Sequence, residues 1–338
     1  MNFEVPVLRL GVAGFSESQQ RAAGEAARAA GTPRAQWQLA SLPEADGWWL
    51  EGGRTVVLPN GFLRVQPGVP SGRSVQIAMA DVDRPVGFTL PLAPGFEPPV
   101  TFHLQDRERC LAVLHQFAGW LQPMVAQFCL GACMSARQPS LGAGSWEVLR
   151  GTQLLAVVDL RTGAAVAPSA TAADFESAMW VLRDHGSVAV PSDFVCTSIP
   201  QLMWQYALRT ERDLLPAHYR HQPLYFRRPP RLPQRQLRDA HLLLLRELAA
   251  QPMQFPQLQQ ATGLGESALA RNLSALYVVG AITANPRRAA GGGTRTAAGD
   301  AAPPSTSFES QLDPVPAQPP VGHRSFSDQT APAPLMRE

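Results

Sequence analysis

Residues 239–286, DAHLLLLRELAAQPMQFPQLQQATGLGESALARNLSALYVVGAITANP, carry the most specific pattern in the chain and decide how its C-terminal part folds. Leu242, Leu245 and Leu248 recur at helical spacing, Leu258 and Ala261 fall in a second segment, and Leu269, Leu273 and Leu276 line a third. Between the second and third stands Thr262-Gly263-Leu264-Gly265, where glycine takes a positive φ at little steric cost. Gly280 ends the third period, and Ala281-Ile282-Thr283 reads as a short strand. The stretch predicts three short helices, a tight turn before the last, and a strand after it.

The whole chain has 338 residues, of which 45% are apolar, so it has room for about two or three domains with real cores. All 29 basic residues are arginine. Without lysine, a P-loop phosphate lysine, a Schiff-base lysine, a kinase strand lysine and a Ser-x-x-Lys nucleophile are all excluded. Four cysteines show no CxxC spacing. Cys129 and Cys133 share a helix face among Phe128, Leu130, Ala132 and Met134 with no histidine at ligand spacing. They read as buried packing thiols, and no metal or cofactor is expected. The N-terminus lacks the basic and apolar regions of a signal peptide, and no run of about 18 apolar residues occurs. A cytoplasmic protein with no membrane association is the expectation.

Working outward to the N-terminus, residues 5–12 (VPVLRLGV) suit a buried strand, and SESQQRAAGEAARAAG after Gly14-Phe15 suits a helix. Ser16 with Gln19 three residues on predicts a capping box. Residues 37–39 and 47–50 add strands, giving a β-α-β start. This beginning distantly resembles a response-regulator receiver, which implies a signal-input domain. The acidic pair of a receiver is replaced here by Gly14, Phe15 and Ser16, and its lysine is missing. The resemblance therefore implies a pseudo-receiver without phosphotransfer. The resemblance implies Asp46 or Glu51, near the acceptor strand, as a remnant of the acceptor; by themselves these acids read as solvated loop residues. From 54 to 99 short alternating runs cut by Pro and Gly predict hairpin strands, so the resemblance covers only the first fifty residues.

Residues 104–134 have a helical pattern that contains His115, read as a packed or partly exposed side chain. Residues 146–149, 153–160 and 164–167 predict a strand meander turning at Arg161-Thr162-Gly163, with Asp159 at a strand end. Residues 175–185 predict a helix, SVAVP a strand, and 199–212 another helix. Asp174, Asp184, His185, Ser187, Ser192 and Asp193 supply the ingredients of a hydrolase triad, but no nucleophile motif accompanies them and no catalytic residue is assigned.

Between 209 and 238 eight arginines face only Glu211 and Asp213, leaving the rest of the chain net acidic. Tyr219, His221, Tyr225 and Phe226 stand among them, and repeated prolines predict an extended segment. Basic residues beside aromatics suit phosphate-backbone contact; an arginine-rich connector solvated on the surface, or docked on the acidic remainder, is the alternative. The third helix and its surroundings, LQQATGLGESALARNLSALYVVGAI, resemble the winged helix-turn-helix of bacterial ArsR- and MarR-like repressors. In that pattern Ala261 is the small residue at the helix contact, Leu264 the buried anchor of the turn, and Leu269, Leu273 and Leu276 the inner face. The resemblance implies that Glu266, Ser267, Ala268, Ala270, Arg271, Asn272 and Ser274 point outward. Arg271 suits guanine and Asn272 adenine, although one cation and one acid make a nearly neutral reading helix.

The expectation is an α+β multidomain protein. It divides into an N-terminal α/β domain (1–99), a helical segment and linker (100–145), an α+β region with the arginine-rich connector (146–238), a winged-helix module (239–288), and a Pro/Gly/Ala-rich disordered tail (289–338). The function expected is non-enzymatic regulation. Arg227, Arg228, Arg231, Arg235, Arg238, Ser267, Arg271 and Asn272 form the contact set, for double-stranded DNA in a transcriptional regulator or for a protein partner in a signalling adaptor.

Overall fold

A computed structural model describes residues 4–290, apart from 94–95, 138–140, 143 and 185–187. The chain begins with β1 (Val7–Ala13), α1 (Glu17–Ala29), β2 (Gln36–Ala40) and β3 (Gly47–Leu50). The expected capping box closes the start of α1: the Gln19 N–H donates to the Ser16 hydroxyl at 3.4 Å, and the Ser16 N–H donates to Gln19 Oε1 at 2.8 Å. α1 buries only alanines, Ala23, Ala26 and Ala27. The hairpin strands expected next are β4 (Thr55–Val57), β5 (Phe62–Val65) and β6 (Val75–Ala78), which form their own antiparallel sheet. The parallel sheet then resumes with β7 (Val86–Thr89) and β8 (Thr101–Phe102), giving the order β2-β1-β3-β7-β8 with every pairing parallel. That is the doubly wound order with its switch point between β1 and β3. It runs to Phe102, because apolar runs buried on both faces continue to pair beyond the inserted hairpins. α2 (Arg107–Trp120) lays Phe117 on this sheet, where a Cβ at Gly47 would stand 2.9 Å from its ring.

α3 (Gln122–Arg137) is buried over most of its length, including Cys129 and Cys133, as packing thiols should be. After it come β9 (Ser145–Arg150), β10 (Gln153–Asp159) and β11 (Gly163–Val166), the meander read from the sequence, then α4 (Ala172–Glu176), β12 (Met179–Arg183), β13 (Val195–Thr197) and α5 (Ile199–Arg209). The sheet order is β12-β9-β10-β11-β13, antiparallel throughout. The helix expected over 175–185 is corrected: α4 stops at Glu176 and Met179–Arg183 is a strand. Trp180, Val181 and Leu182 gain a five-position ladder on β9, and such packing on a pleated surface outweighs local helical spacing. α5 crosses α3 at Gly131, where a Cβ would lie 2.8 Å from Tyr206 Cβ.

The last part holds β14 (Tyr225–Phe226), α6 (Asp239–Ala250), α7 (Phe255–Thr262), α8 (Glu266–Val278) and β15 (Ile282–Thr283). Gly263 ends α7 at φ 68°, a left-handed cap that a side chain would strain. Leu269, Leu273 and Leu276 face inward onto Leu244, Leu248 and Leu258 as expected, with Leu264 packed alongside. Three readings are corrected. Leu242 is exposed while His241 and Leu244 take its place in the core, because the buried stripe of α6 is rotated by one to two residues. Ala261, expected at a close helix contact, is exposed. The arginine-rich segment does not run extended throughout: residues 217–220 form a 3₁₀ turn, and β14 pairs antiparallel with β15 through Tyr225↔Thr283 and Phe226↔Ile282. A bridge from Leu224 to Met253 continues that pairing on the other side. The neighbour of the strand after α8 is thus drawn from before α6 instead of from a returning wing strand.

Candidate functional site

The face of α8 opposite its leucines is shared between solvent and α5. Ala270 is 8% exposed and Ser274 3%. Both were expected outward; instead they lie beneath α5, whose Trp204 and Ala207 belong to the same core as the α8 leucines. Small side chains on both helices permit this close approach. Glu266, Ser267, Ala268 and Arg271 stay exposed and Asn272 half-buried, all in the first two turns of α8. The Asn272 amide donates to its own helix, at 2.7 Å from the Ala268 carbonyl.

A cleft of about 370 Å³ opens between the end of α5 and the start of α8. Thr210, Arg212 and Arg220 line it with Ser267 and Arg271, and the acids Glu211, Asp213 and Glu266 line it as well. Arg220 spans the mouth, paired with Asp213 at 2.6 Å and Glu266 at 3.4 Å. Burial would raise the Asp213 carboxyl, but hydrogen bonds from Arg220 and the Leu215 N–H outweigh it and hold the pKa low. Of the expected contact set the structure brings Ser267 and Arg271 to this cleft. Arg238 instead pairs with Glu44 at 3.2 Å. Arg227 and Arg228 place their guanidinium groups beside Gly280, at the C-terminal end of α8, where the helix dipole favours positive charge. Arg231 is exposed, and the side chain of Arg235 lies outside the described residues.

The remaining arginines of the approach dock on the N-terminal sheet. Arg209 holds Asp46 with both terminal nitrogens, at 2.9 and 2.6 Å. Asp46 also accepts the Arg9 N–H at 2.9 Å, and the Arg9 side chain donates to the Leu208 carbonyl at 3.1 Å. Burial and the neighbouring Arg209 lower the Arg9 pKa, against the attraction of Asp46. Glu4 accepts from the Thr210 hydroxyl at 2.5 Å and the Glu211 N–H at 2.6 Å, and its carboxylate stands 3.9 Å from Arg212. Asp46, 6% exposed, is therefore no solvated loop residue. Its partner lies 163 positions away, beyond any local pattern. One signal was present: an arginine inside the apolar strand VLRLGV requires a buried partner.

Glu51 is likewise corrected. It is buried at the carboxyl end of β3, accepting from Gln19 Nε2 at 3.1 Å and the Thr89 hydroxyl at 2.7 Å. Doubly wound sheets bind ligands in the crevice outside these strand ends. Backbone packs closely at these ends: a Cβ at Gly68 would stand 2.1 Å from the Phe15 carbonyl, and one at Gly52 would stand 2.1 Å from the Thr89 carbonyl.

His241 is buried with Nδ1 accepting the Arg238 N–H at 3.0 Å and its ring edge-on to Trp204. Burial, reinforced by Arg238, lowers its pKa to about 4 against a weaker opposing effect of Asn272. Burial pushes the Cys110 and Cys129 thiols up to about 11 and about 12. Such thiols stay protonated and are poor nucleophiles or ligands. Among the triad ingredients, Asp174 caps α4 through Thr171 and pairs with Arg150, whereas Asp184, Ser192 and Asp193 are exposed. His185 and Ser187 lie outside the described residues. Among the described residues no group of three His, Cys, Asp or Glu could hold a metal, and no helix is long and apolar enough to cross a membrane. Comparison with protein-family models, curated proteins and solved structures gives no match.

Proposed function

We propose that this chain is a cytoplasmic regulatory adaptor without catalytic chemistry, whose winged-helix-like C-terminal unit contacts a protein partner. The observation that carries the reading is the burial of Ala270 and Ser274 under α5. A reading helix enters the major groove with its outward side chains free along the groove. α8 offers only its first two turns, and Asn272 already spends its amide on Ala268. Phosphate contact needs arginines that are not already paired, yet Arg209, Arg212, Arg220 and Arg238 each face an acid of this chain. A cleft of alternating Arg212, Arg220, Arg271 and Glu211, Asp213, Glu266 fits a protein surface carrying both signs, while its acids repel a polyanion. The N-terminal sheet then serves as the platform on which α5 is fixed through Arg209 and Asp46.

Fluorescence anisotropy of labelled duplex DNA over a salt series tests the choice. The adaptor reading expects no steeply salt-dependent binding, together with capture of one stoichiometric protein partner that Arg271→Glu releases. Duplex binding that weakens steeply with salt and is lost in Arg271→Ala would overturn it in favour of a transcriptional regulator.

A further inference from the structure

We propose that the partner enters the cleft between α5 and α8 with a segment carrying one carboxylate, which pairs with Arg271, and one cation, which pairs with Glu211. This rests on the adaptor reading and narrows it to two contacts. Arg212, Arg220 and Arg271 line the cleft with Glu211, Asp213 and Glu266. Most of these charges are engaged within the chain: Arg220 holds Asp213 at 2.6 Å and Glu266 at 3.4 Å, and Arg212 stands 3.9 Å from Glu4. Among the described residues, neither the Arg271 guanidinium nor the Glu211 carboxylate has a hydrogen bond or an ion pair. Both are exposed, and they come from different walls: Glu211 from the segment that follows α5, Arg271 from α8.

The neighbours of each residue set the sign it takes. Arg271 is within electrostatic reach of Arg9, and Asp46, the acid that attracts Arg9, is already held by both terminal nitrogens of Arg209. Ser267 stands one turn earlier on the same helix face. α8 starts at Gly265, which has no side chain to cap the first N–H groups, and such a helix start favours negative charge. An anion at Arg271 therefore relieves repulsion. Glu211 is placed the other way. Its N–H donates to Glu4 Oε1 at 2.6 Å, which brings a second carboxylate to it, and Glu4 is shared with Arg212 and the Thr210 hydroxyl. A cation at Glu211 relieves that repulsion in turn. The cleft, about 370 Å³, lies at the small end of the roughly 300–1,000 Å³ of ligand clefts, so it takes side chains and not a helix. A segment of one sign meets like charge on one wall, and such an arrangement selects the partner more than it adds affinity.

The probes are capped peptides carrying one Glu and one Arg separated by one, two or three glycines, compared with Glu/Glu and Arg/Arg versions of the same lengths. Binding to the full chain is followed by NMR at the amides of Glu211, Ser267 and Arg271. A mixed-charge peptide should bind saturably, and Arg271→Gln and Glu211→Gln should each weaken it by about two- to fivefold, the worth of one exposed pair. Both positions are exposed, so the variants keep the fold. Absence of binding by every mixed peptide, equal binding of a Glu/Glu peptide, or wild-type binding by Glu211→Gln would each overturn the proposal. The adaptor reading is judged apart from it. A partner protein that Arg271→Glu releases and Glu211→Arg does not leaves the adaptor standing and ends this inference, whereas salt-sensitive duplex binding lost in Arg271→Ala ends both.

Discussion

Replacing Asp46 by alanine should cost about 3–5 kcal/mol, the range for removing one partner of a buried ion pair and leaving the other charge uncompensated. The carboxylate is 4% exposed at its side chain and Arg209 20%, so solvent screens the pair little. Its loss leaves two guanidinium groups, those of Arg9 and Arg209, near one another without their shared anion, and strands the Arg9 N–H in a buried setting. At about 2 °C per kcal/mol for a chain of this size, the thermal midpoint should fall by roughly 6–10 °C. Urea denaturation followed by tryptophan fluorescence measures the free energy, and a double-mutant cycle with Arg209→Met isolates the pair. Because the second change removes the orphaned charge, the double variant should be more stable than Asp46→Ala alone. A cost below about 1 kcal/mol, the level of an exposed surface pair, or strict additivity in the cycle, would refute a buried clasp between the N-terminal sheet and α5.

Two further outcomes follow from buried titratable groups. His241 has a folded pKa of about 4 against an ordinary 6.5. The unfolded chain therefore binds more protons between those values, and stability is complete above pH 6.5 and falls as the pH drops toward 4. The full contribution is about 3 kcal/mol, so the urea midpoint should decline over that window in wild type and decline less in His241→Gln; equal declines would exclude the assignment. Cys129 and Cys133, buried and raised in pKa, should react with a thiol reagent only in urea, whereas exposed Cys196 reacts in the native state. Labelling of all four thiols at one native rate would contradict the packing of α3.

Local features were legible in the sequence where short-range physics decides them. The Ser16–Gln19 box, the meander turning at Gly163, the left-handed turn at Gly263 and the leucine face of α8 each depend on residues within a few positions of one another. The 175–185 segment was misread because its helical spacing and its strand-forming residues compete, and only the neighbouring β9 resolves the competition. The expected contact set was legible as charge but not as availability: the same arginine serves a ligand or an internal acid, according to what the fold places beside it.

Composition and periodicity by themselves determined that this chain builds an α/β beginning, an antiparallel middle sheet and a three-helix C-terminal unit, and that lysine chemistry is absent from it. Only the tertiary structure decided that α5 covers Ala270 and Ser274, that Asp46 receives Arg209, and that backbone packs closely on Gly52 and Gly68. The reason is one of range. Helical period and turn chemistry act over a few residues, whereas burial and ion pairing depend on surfaces brought together from positions as far apart as 46 and 209.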